Sequence, residues 1–142
     1  MALILADVGA DELLKIVFNN DRAAAGNNLT LKLFVSNTTP TQTSTAGSFT
    51  EAAGGGYVAK TLTMGSWTVT PANDPSDAVY AEQVFTFTGA LTTNPTIYGY
   101  FVVDADGVLL WAERLTASFT PANNGDHLDI TPKFQMSSGT PT

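Results

Sequence analysis

One histidine and its neighbouring carboxylates form the first group in the sequence that could do chemistry. His127 is the single histidine, with Asp126 beside it and Asp129 two residues further on. An imidazole held by a carboxylate can act as a general base, and a serine such as Ser118 or Ser137 would complete a hydrolase triad. The sequence lacks the G-x-S-x-G turn that presents the serine of α/β hydrolases. We therefore interpret His127 as a solvent-exposed residue at the start of a strand and predict no catalytic residue.

A second group, Asp104-Ala105-Asp106-Gly107, is similar to the beginning of a calcium-binding loop. Two carboxylates two residues apart can share a hard cation. Apolar residues follow at once, however, and Leu115 stands at the twelfth position, where an EF-hand loop has a glutamate. The sequence therefore favours a hairpin turn in which Gly107 adopts a positive φ, and it predicts no metal and no cofactor.

Glu82 and Glu113 could form a third group, a pair of carboxylates like that of a glycosidase. Both lie in predicted strands, and a sheet can bring such groups within several ångströms of each other. Nothing in the sequence fixes them together. Because Arg114 follows Glu113, a surface charge or an ion pair at a subunit contact is the simpler interpretation of Glu113.

Aromatic side chains could also stack on sugar rings, because an aromatic face binds the apolar face of a carbohydrate. Packing in a core or at an interface explains the same residues more simply. The residues concerned are Tyr57, Trp67, Tyr98, Tyr100 and Trp111.

Composition narrows the possible functions further. A chain of 142 residues can bury one core, so we expect one domain of globular structure. Six Lys and Arg against thirteen Asp and Glu give a net charge of -7, which argues against binding to nucleic acid or to an anionic membrane. The chain has no cysteine, which excludes disulfides, thiolate nucleophiles and zinc–cysteine sites. The start of the chain lacks the basic segment of a signal peptide, so we expect a soluble protein made in the cytoplasm.

Helical spacing occurs near the start of the chain. Asp11 and Glu12 suit the positive end of a helix, and apolar residues from Leu13 to Phe18 fall on one face. The polar run that begins at Asn19 ends this pattern. We therefore predict an N-terminal arm with one short helix over residues 1–28.

Alternating apolar and polar residues dominate the rest of the chain, which is the period of half-buried strands. A Thr-rich stretch from Asn37 to Ser48 reads as a long surface loop, and Pro132 places the last strand at a sheet edge. We predict an all-β fold, a single antiparallel β-sandwich of jelly-roll type over residues 29–136, followed by a flexible tail at 137–142. The predicted strands are Leu29–Ser36, Tyr57–Met64, Trp67–Thr70, Val79–Thr88, Ile97–Val103, Val108–Arg114 and His127–Met136.

The order of these segments resembles that of small virion structural proteins of tailed bacteriophages. The resemblance covers nearly the whole chain, and its motifs are structural. The segments that carry it are Asp11-Glu12-Leu13-Leu14, Leu29–Phe34, the Thr/Pro loop, Phe49–Ala52, Gly56-Tyr57, Lys60–Leu62, Ala81–Phe87, Ile97–Val102, Leu109–Arg114 and Ile130–Phe134.

This resemblance implies a non-enzymatic protein that binds protein, namely a capsid decoration or cement subunit. It implies a β-rich homotrimer at the capsid surface of the virion, whose partners are the major capsid protein and further copies of itself. We expect the subunit contacts at Tyr98, Tyr100, Trp111 and Arg114, because exposed aromatic and arginine side chains make interface anchors. The segment from Leu3 to Phe18, which includes Leu13 and Leu14, and the loop from Asn37 to Ser48 would contact the capsid. The alternative is a receptor-binding or glycan-binding module associated with a tail or fibre.

Overall fold

Antiparallel sheets account for most of the structure. The computed structural model describes residues 4–18, 28–70 and 76–136, which hold ten strands, one α-helix and one 3₁₀ turn. The predicted tail at 137–142, which includes Ser137, lies outside these ranges, and so do residues 1–3 and 19–27 of the predicted arm. The elements are β1 (Ile4–Leu5), α1 (Asp7–Phe18), β2 (Leu29–Phe34), the 3₁₀ turn (Ala46–Ser48), β3 (Lys60–Leu62), β4 (Thr68–Thr70), β5 (Ser76–Val79), β6 (Gln83–Thr86), β7 (Ile97–Val103), β8 (Leu109–Phe119), β9 (His127–Ile130) and β10 (Lys133–Met136).

A five-stranded sheet in the order β1-β8-β7-β2-β3 is the centre of the fold. Its middle is the predicted hairpin of β7 and β8, in which Val102 pairs with Trp111 and Tyr100 pairs with Glu113. The hairpin forms because two β-prone runs flank a turn that Gly107 enters at a φ of 80°. Residues on both faces of β7 are buried, as expected for a central strand.

The remaining five strands pair in two smaller sheets, β10-β5-β4 and β6-β9. The prediction of single strands at 79–88 and at 127–136 is wrong, because each divides between these two sheets. Pro132 has no N–H for a ladder, but its carbonyl accepts a hydrogen bond from the Tyr80 N–H at 2.9 Å. The segment from β5 to β6 and the segment from β9 to β10 therefore both pass from one small sheet to the other where Tyr80 meets Pro132. Within the described ranges, β9 and β10 lie at sheet edges, as Pro132 predicts.

Apolar side chains fill both faces of the central sheet. One cluster joins Leu31, Leu33 and Val102 of this sheet to Phe85 and Ile130 of the β6–β9 pair. The opposite face carries a smaller cluster, made by Ala6, Phe34, Phe49, Phe101, Val103, Leu109 and Ala112. The all-β prediction with one short helix is thereby confirmed, while the jelly-roll winding of a single sandwich stays a prediction.

Helix α1 begins one turn earlier than the sequence predicts, at Asp7 rather than at Asp11. The Asp7 N–H donates to the Gln42 carbonyl at 2.8 Å, and the Ala10 N–H closes the first turn on Ala6 at 2.9 Å. The charge of Asp7 also suits the positive end of the helix. Leu5 and Ile4 pair with β8, so the described part of the predicted arm joins the central sheet. No helix in the described ranges is long and apolar enough to cross a membrane.

Candidate functional site

The predicted loop at 37–48 packs beside the start of α1, and together they form one surface. We call residues 37–45 and 7–11 the loop–helix surface. The hydrogen bond from the Asp7 N–H to Gln42 joins its two parts. Arg114 of β8 stabilises the loop, because its guanidinium donates to the Thr38 carbonyl at 3.1 Å and to the Asn37 side chain. The guanidinium also lies 5.2 Å from the centre of the Tyr98 ring.

Internal hydrogen bonds fix the conformation of this loop. Ser44 is buried, and its hydroxyl accepts from the Thr41 N–H at 3.0 Å. The Ser48 hydroxyl accepts from the Thr45 N–H, and the Ser48 N–H donates to the Thr45 carbonyl at 2.9 Å. The loop is therefore preorganised, although residues 37–45 have no regular secondary structure of their own and the 3₁₀ turn follows them.

Exposed side chains of the loop–helix surface are mostly uncharged. They include Asn37, Thr39 and Gln42 on the loop, and Val8 on the helix, while Asp7 and Asp11 are the two exposed charged residues. Val8 is one of the large apolar residues that remain exposed, at 39%. Depletion of charged side chains is a property of the central parts of protein interfaces, so this surface suits a protein partner.

Two of the predicted contact residues lie in the interior instead. Tyr100 is 3% exposed and Trp111 is 4% exposed, so the assumption that they are exposed aromatics is wrong. Both side chains face the larger apolar cluster, in which Trp111 packs against Trp67 and Phe134. Their predicted positions in strands were correct, but alternation alone did not show that small sheets cover this face of β7 and β8.

The remaining predicted contact residues differ in their surroundings. Tyr98 and Arg114 support the loop–helix surface, as described above. Leu13 is partly buried and lines a cavity. The side chain of Leu14 lies outside the part of the chain that the structure describes. The prediction that these residues form subunit contacts stays a prediction.

A polar cleft of about 330 Å³ lies where β8 approaches β9 and β10. The Tyr100 hydroxyl donates a hydrogen bond to the Glu113 carboxylate at its wall. Burial, and then this carboxylate, raise the pKa of Tyr100 far above its usual range. Glu82 is exposed and does not line the cleft, so the glycosidase-like pair of Glu82 and Glu113, which the sequence did not favour, is not assembled there. The cleft is lined by Tyr100, Glu113, Leu115, Asp129, Ile130, Thr131, Lys133 and Gln135.

Carboxylates of the other predicted groups bind backbone N–H groups. Asp104 accepts through Oδ1 from the N–H groups of Asp106 at 3.0 Å and Val108 at 2.8 Å, which confirms the hairpin turn. Asp126 accepts from two N–H groups of the turn before it. Across residues 4–18, 28–70 and 76–136, no three His, Asp or Glu side chains converge as a metal site requires.

His127 lies at the start of β9 with its side chain 60% exposed, as the sequence predicts. Its Nε2 is 3.8 Å from Asp129 Oδ2, which is a loose contact between exposed groups. The carboxylate of Asp126, the other possible partner, binds the turn instead. The hydrolase triad therefore has no support in this geometry.

An apolar cavity of about 290 Å³ was not predicted from the sequence. Its residues come from α1, β2, the loop before β4, β4, β5, the β7–β8 hairpin and β10, and all of them except Asp104 read as ordinary apolar residues of their own segments. The one local signal was Trp67, a large aromatic residue just before a strand as short as β4. The cavity is lined by Leu13, Leu29, Met64, Trp67, Val69, Ala78, Asp104, Leu110, Trp111 and Phe134.

No family model, no curated protein and no solved structure matches the chain. Its function therefore has to be inferred from the surfaces and contacts described above.

Proposed function

We propose that this protein is a structural subunit that binds other proteins, a decoration or cement protein on the outer head of a tailed bacteriophage. The observation that carries the proposal is the ordered, mostly uncharged loop–helix surface. The order of segments in the sequence, which resembles that of small virion proteins, supports the same function. The all-β fold is compatible with it.

Preorganisation is the physical reason why this surface suits binding. A loop that is ordered only on binding loses conformational entropy at that moment, which weakens the complex. Here Ser44, Ser48 and Arg114 already fix the loop through hydrogen bonds within the chain. The contact area is therefore available at a small entropic cost.

Stabilisation of the capsid would follow from linkage. A protein that binds only the assembled, expanded lattice stabilises that state in proportion to its occupancy. The net charge of -7 keeps free subunits soluble and away from DNA before they bind. The proposed partners are the major capsid protein and further copies of this chain in a homotrimer.

The polar cleft favours a second candidate, a glycan-binding or receptor-binding module at a tail or fibre. Its wall offers the carboxylate of Glu113, the ammonium of Lys133 and the amide of Gln135. Such groups bind sugar hydroxyls. Lys133 is already paired with Asp77 at 2.9 Å, the Gln135 amide donates to the same carboxylate at 2.8 Å, and Glu113 is bonded to Tyr100, so all three groups already have partners within the chain. We therefore place this function second.

A pair of matched variants tests the first candidate. Thr39→Arg places a long cation on the loop–helix surface, and Asn124→Arg makes the same charge change on an exposed turn elsewhere. We expect Thr39→Arg to weaken binding to particles that lack the protein by about tenfold or more, and Asn124→Arg to bind as the wild type does. Equal binding by the two variants would remove the loop–helix surface from the proposal.

A further inference from the structure

Strand β6 has an outer edge that no other strand of the described residues covers, because its sheet contains only β6 and β9. The backbone N–H and C=O groups of successive residues in a strand point to opposite edges. The Phe87 N–H, just after β6, donates toward β9, to the Asp126 carbonyl at 2.8 Å. The next N–H, that of Thr88, donates the other way, to the Gly55 carbonyl at 2.8 Å. The residues that share the outward direction of Thr88 are Glu82, Val84 and Thr86.

The backbone groups at this outer edge are open to a partner. Within residues 4–18, 28–70 and 76–136, no hydrogen bond reaches the outward groups of Val84 and Thr86. The side-chain amide of Gln83 donates to the Glu82 carbonyl at 3.1 Å, and a carbonyl oxygen has a second lone pair. Beside Thr86, a cleft of about 140 Å³ separates β6 from the segment that holds Val58. An uncovered edge of this kind is a template on which another strand can pair.

No feature of β6 protects this edge from pairing. Sheets usually protect an edge strand with a charged side chain, a proline or a β-bulge. The strand reads Gln83-Val84-Phe85-Thr86, and it pairs with β9 in an unbroken register. Val84 is 43% exposed, and Val58 across the cleft is 68% exposed. The free backbone groups therefore lie beside exposed apolar side chains.

We propose that β6 pairs antiparallel with β6 of a second copy of this chain, about a two-fold axis centred on Val84. In this register Val84 faces Val84 of the second copy, and Glu82 of each copy faces Thr86 of the other. At each pair the two residues exchange N–H···O=C bonds in both directions, so every outward group obtains a partner. The two small sheets become one sheet in the order β9-β6-β6-β9, and four strands with an apolar face are more stable than two.

The open edge favours a second copy because it is complementary to itself. A two-fold contact requires that the same patch serve both subunits. Val84 is the middle residue of the open stretch, since Gly55 already covers the edge at Thr88. Its exposed side chain meets an identical apolar side chain at the axis. Glu82 faces Thr86 rather than another carboxylate, so no like charges lie directly opposite each other.

Sedimentation equilibrium of the full chain tests this pairing with two matched variants. Val84→Lys places two ammonium groups side by side at the axis, and Val69→Lys makes the same change at an exposed valine of β4. We expect the mass of the wild type to approach twice its low-concentration value between micromolar and millimolar protein. Val84→Lys should weaken this association about tenfold or more, because like charges directly opposite each other repel, and Val69→Lys should associate as the wild type does. A constant mass for the wild type, or undiminished association of Val84→Lys, would overturn the proposal.

Amide hydrogen exchange of the wild type locates the contact without a variant. The N–H groups of Val84 and Thr86 should exchange more slowly as the protein concentration rises, because the second copy bonds to them. The Phe87 N–H already bonds to Asp126, so its exchange should change less, and it serves as the internal control. Exchange of Val84 and Thr86 that does not depend on concentration would contradict pairing at this edge. The contact goes beyond the proposed function and uses neither the loop–helix surface nor the major capsid protein, so each proposal can fail without the other.

Discussion

At the scale of single residues, carboxylates and hydroxyls of this chain complete the hydrogen bonding of its backbone. Asp104 and Asp126 each accept from two N–H groups of a turn, and the Tyr57 hydroxyl accepts from a strand. The spacing of these residues in sequence suggested metal or catalytic chemistry. Turns also favour acidic residues, because an Asp side chain can accept hydrogen bonds from the free N–H groups there. Spacing alone therefore could not separate a turn from a metal or catalytic site.

Asp126 should make the stability of the protein sensitive to acid. Hydrogen bonds from the N–H groups of Ala122 and Asn123 hold the pKa of Asp126 below its usual range. The unfolded chain therefore takes up this proton first as the pH falls. The contribution of Asp126 is present above about pH 4 and is lost as the pH falls through the lower folded pKa. We expect the free energy of unfolding of Asp126→Asn to fall less steeply with acid than that of the wild type, in urea titrations from pH 5 to pH 2. Parallel curves would contradict this role.

Tyr57 should contribute to stability through its hydroxyl. This hydroxyl accepts from the Leu33 N–H at 3.1 Å and donates to Glu51 at 3.1 Å. Tyr57→Phe leaves a buried N–H without a partner, so we expect the free energy of unfolding at pH 7 to fall by about 1–2 kcal/mol. Tyr98→Phe is the control, because no hydrogen bond of the Tyr98 hydroxyl occurs within the described residues. A smaller loss in Tyr57→Phe than in Tyr98→Phe would contradict the prediction.

The same residue should also make the protein sensitive to alkali. Burial is the main reason why the pKa of Tyr57 is raised far above its usual value of 10. The unfolded chain loses this proton first, so stability falls as the pH rises above about 10. Tyr57→Phe should show a shallower fall between pH 10 and pH 12, measured by urea denaturation. The same steepness in both proteins would show that Tyr57 does not contribute to the alkaline fall.

At the scale of elements, the approach of α1 to the central sheet depends on one glycine. A Cβ at Gly9 would lie 2.8 Å from Leu110 Cα and closer still to the Leu110 carbonyl, both backbone atoms of β8. Although Ala is normally the better helix former by about 1 kcal/mol, this clash should reverse the sign. We expect Gly9→Ala to destabilise the protein by about 1–3 kcal/mol in chemical denaturation. Gly47→Ala, whose nearest contact would be 3.7 Å away, should be close to neutral. A Gly9→Ala variant as stable as the wild type would contradict this packing.

Elements whose signals are local could be predicted from the sequence. The hairpin of β7 and β8 and the strand β2 were predicted within a few residues at most ends, because turn residues and an alternating period occur together there. The predicted strand at 57–64 was too long. Only Lys60–Leu62 pairs with β2, because beyond Leu31 the edge of β2 that faces away from β7 bonds instead to the Tyr57 hydroxyl and to the backbone of residues 50–52. Which strand pairs with which depends on segments far apart in the sequence, and the apolar period of one strand carries no information about its neighbour.

The candidate sites were harder to predict for the same reason. The loop at 37–48 was expected to be functional, but its contact with α1 through Gln42 and its support by Arg114 join segments far apart in sequence. Tyr100 and Trp111 were expected at the surface, because an apolar strand has the same pattern whether a small sheet or a second subunit covers it. The apolar cavity has no pattern at all in sequence, since its ten residues come from six separate segments, none of which supplies more than three.

At the scale of the whole molecule, apolar clusters cover both faces of the central sheet. The small sheets and the larger apolar cluster cover one face of the central sheet. Ala6 and Phe49 pack on the other face, beside the loop–helix surface. If the loop–helix surface binds a partner as proposed, this support would carry force from the partner into the β7–β8 hairpin.

The central claim is the proposed position on the head of a phage particle, and locating the protein there tests it most directly. A cryo-electron reconstruction of particles carrying the wild-type chain would show where units of 142 residues lie. We predict density that repeats with the lattice of the head, with the loop–helix surface against the major capsid protein. Density confined to the tail or fibres, with a bare head, would contradict the account and favour the glycan-binding function.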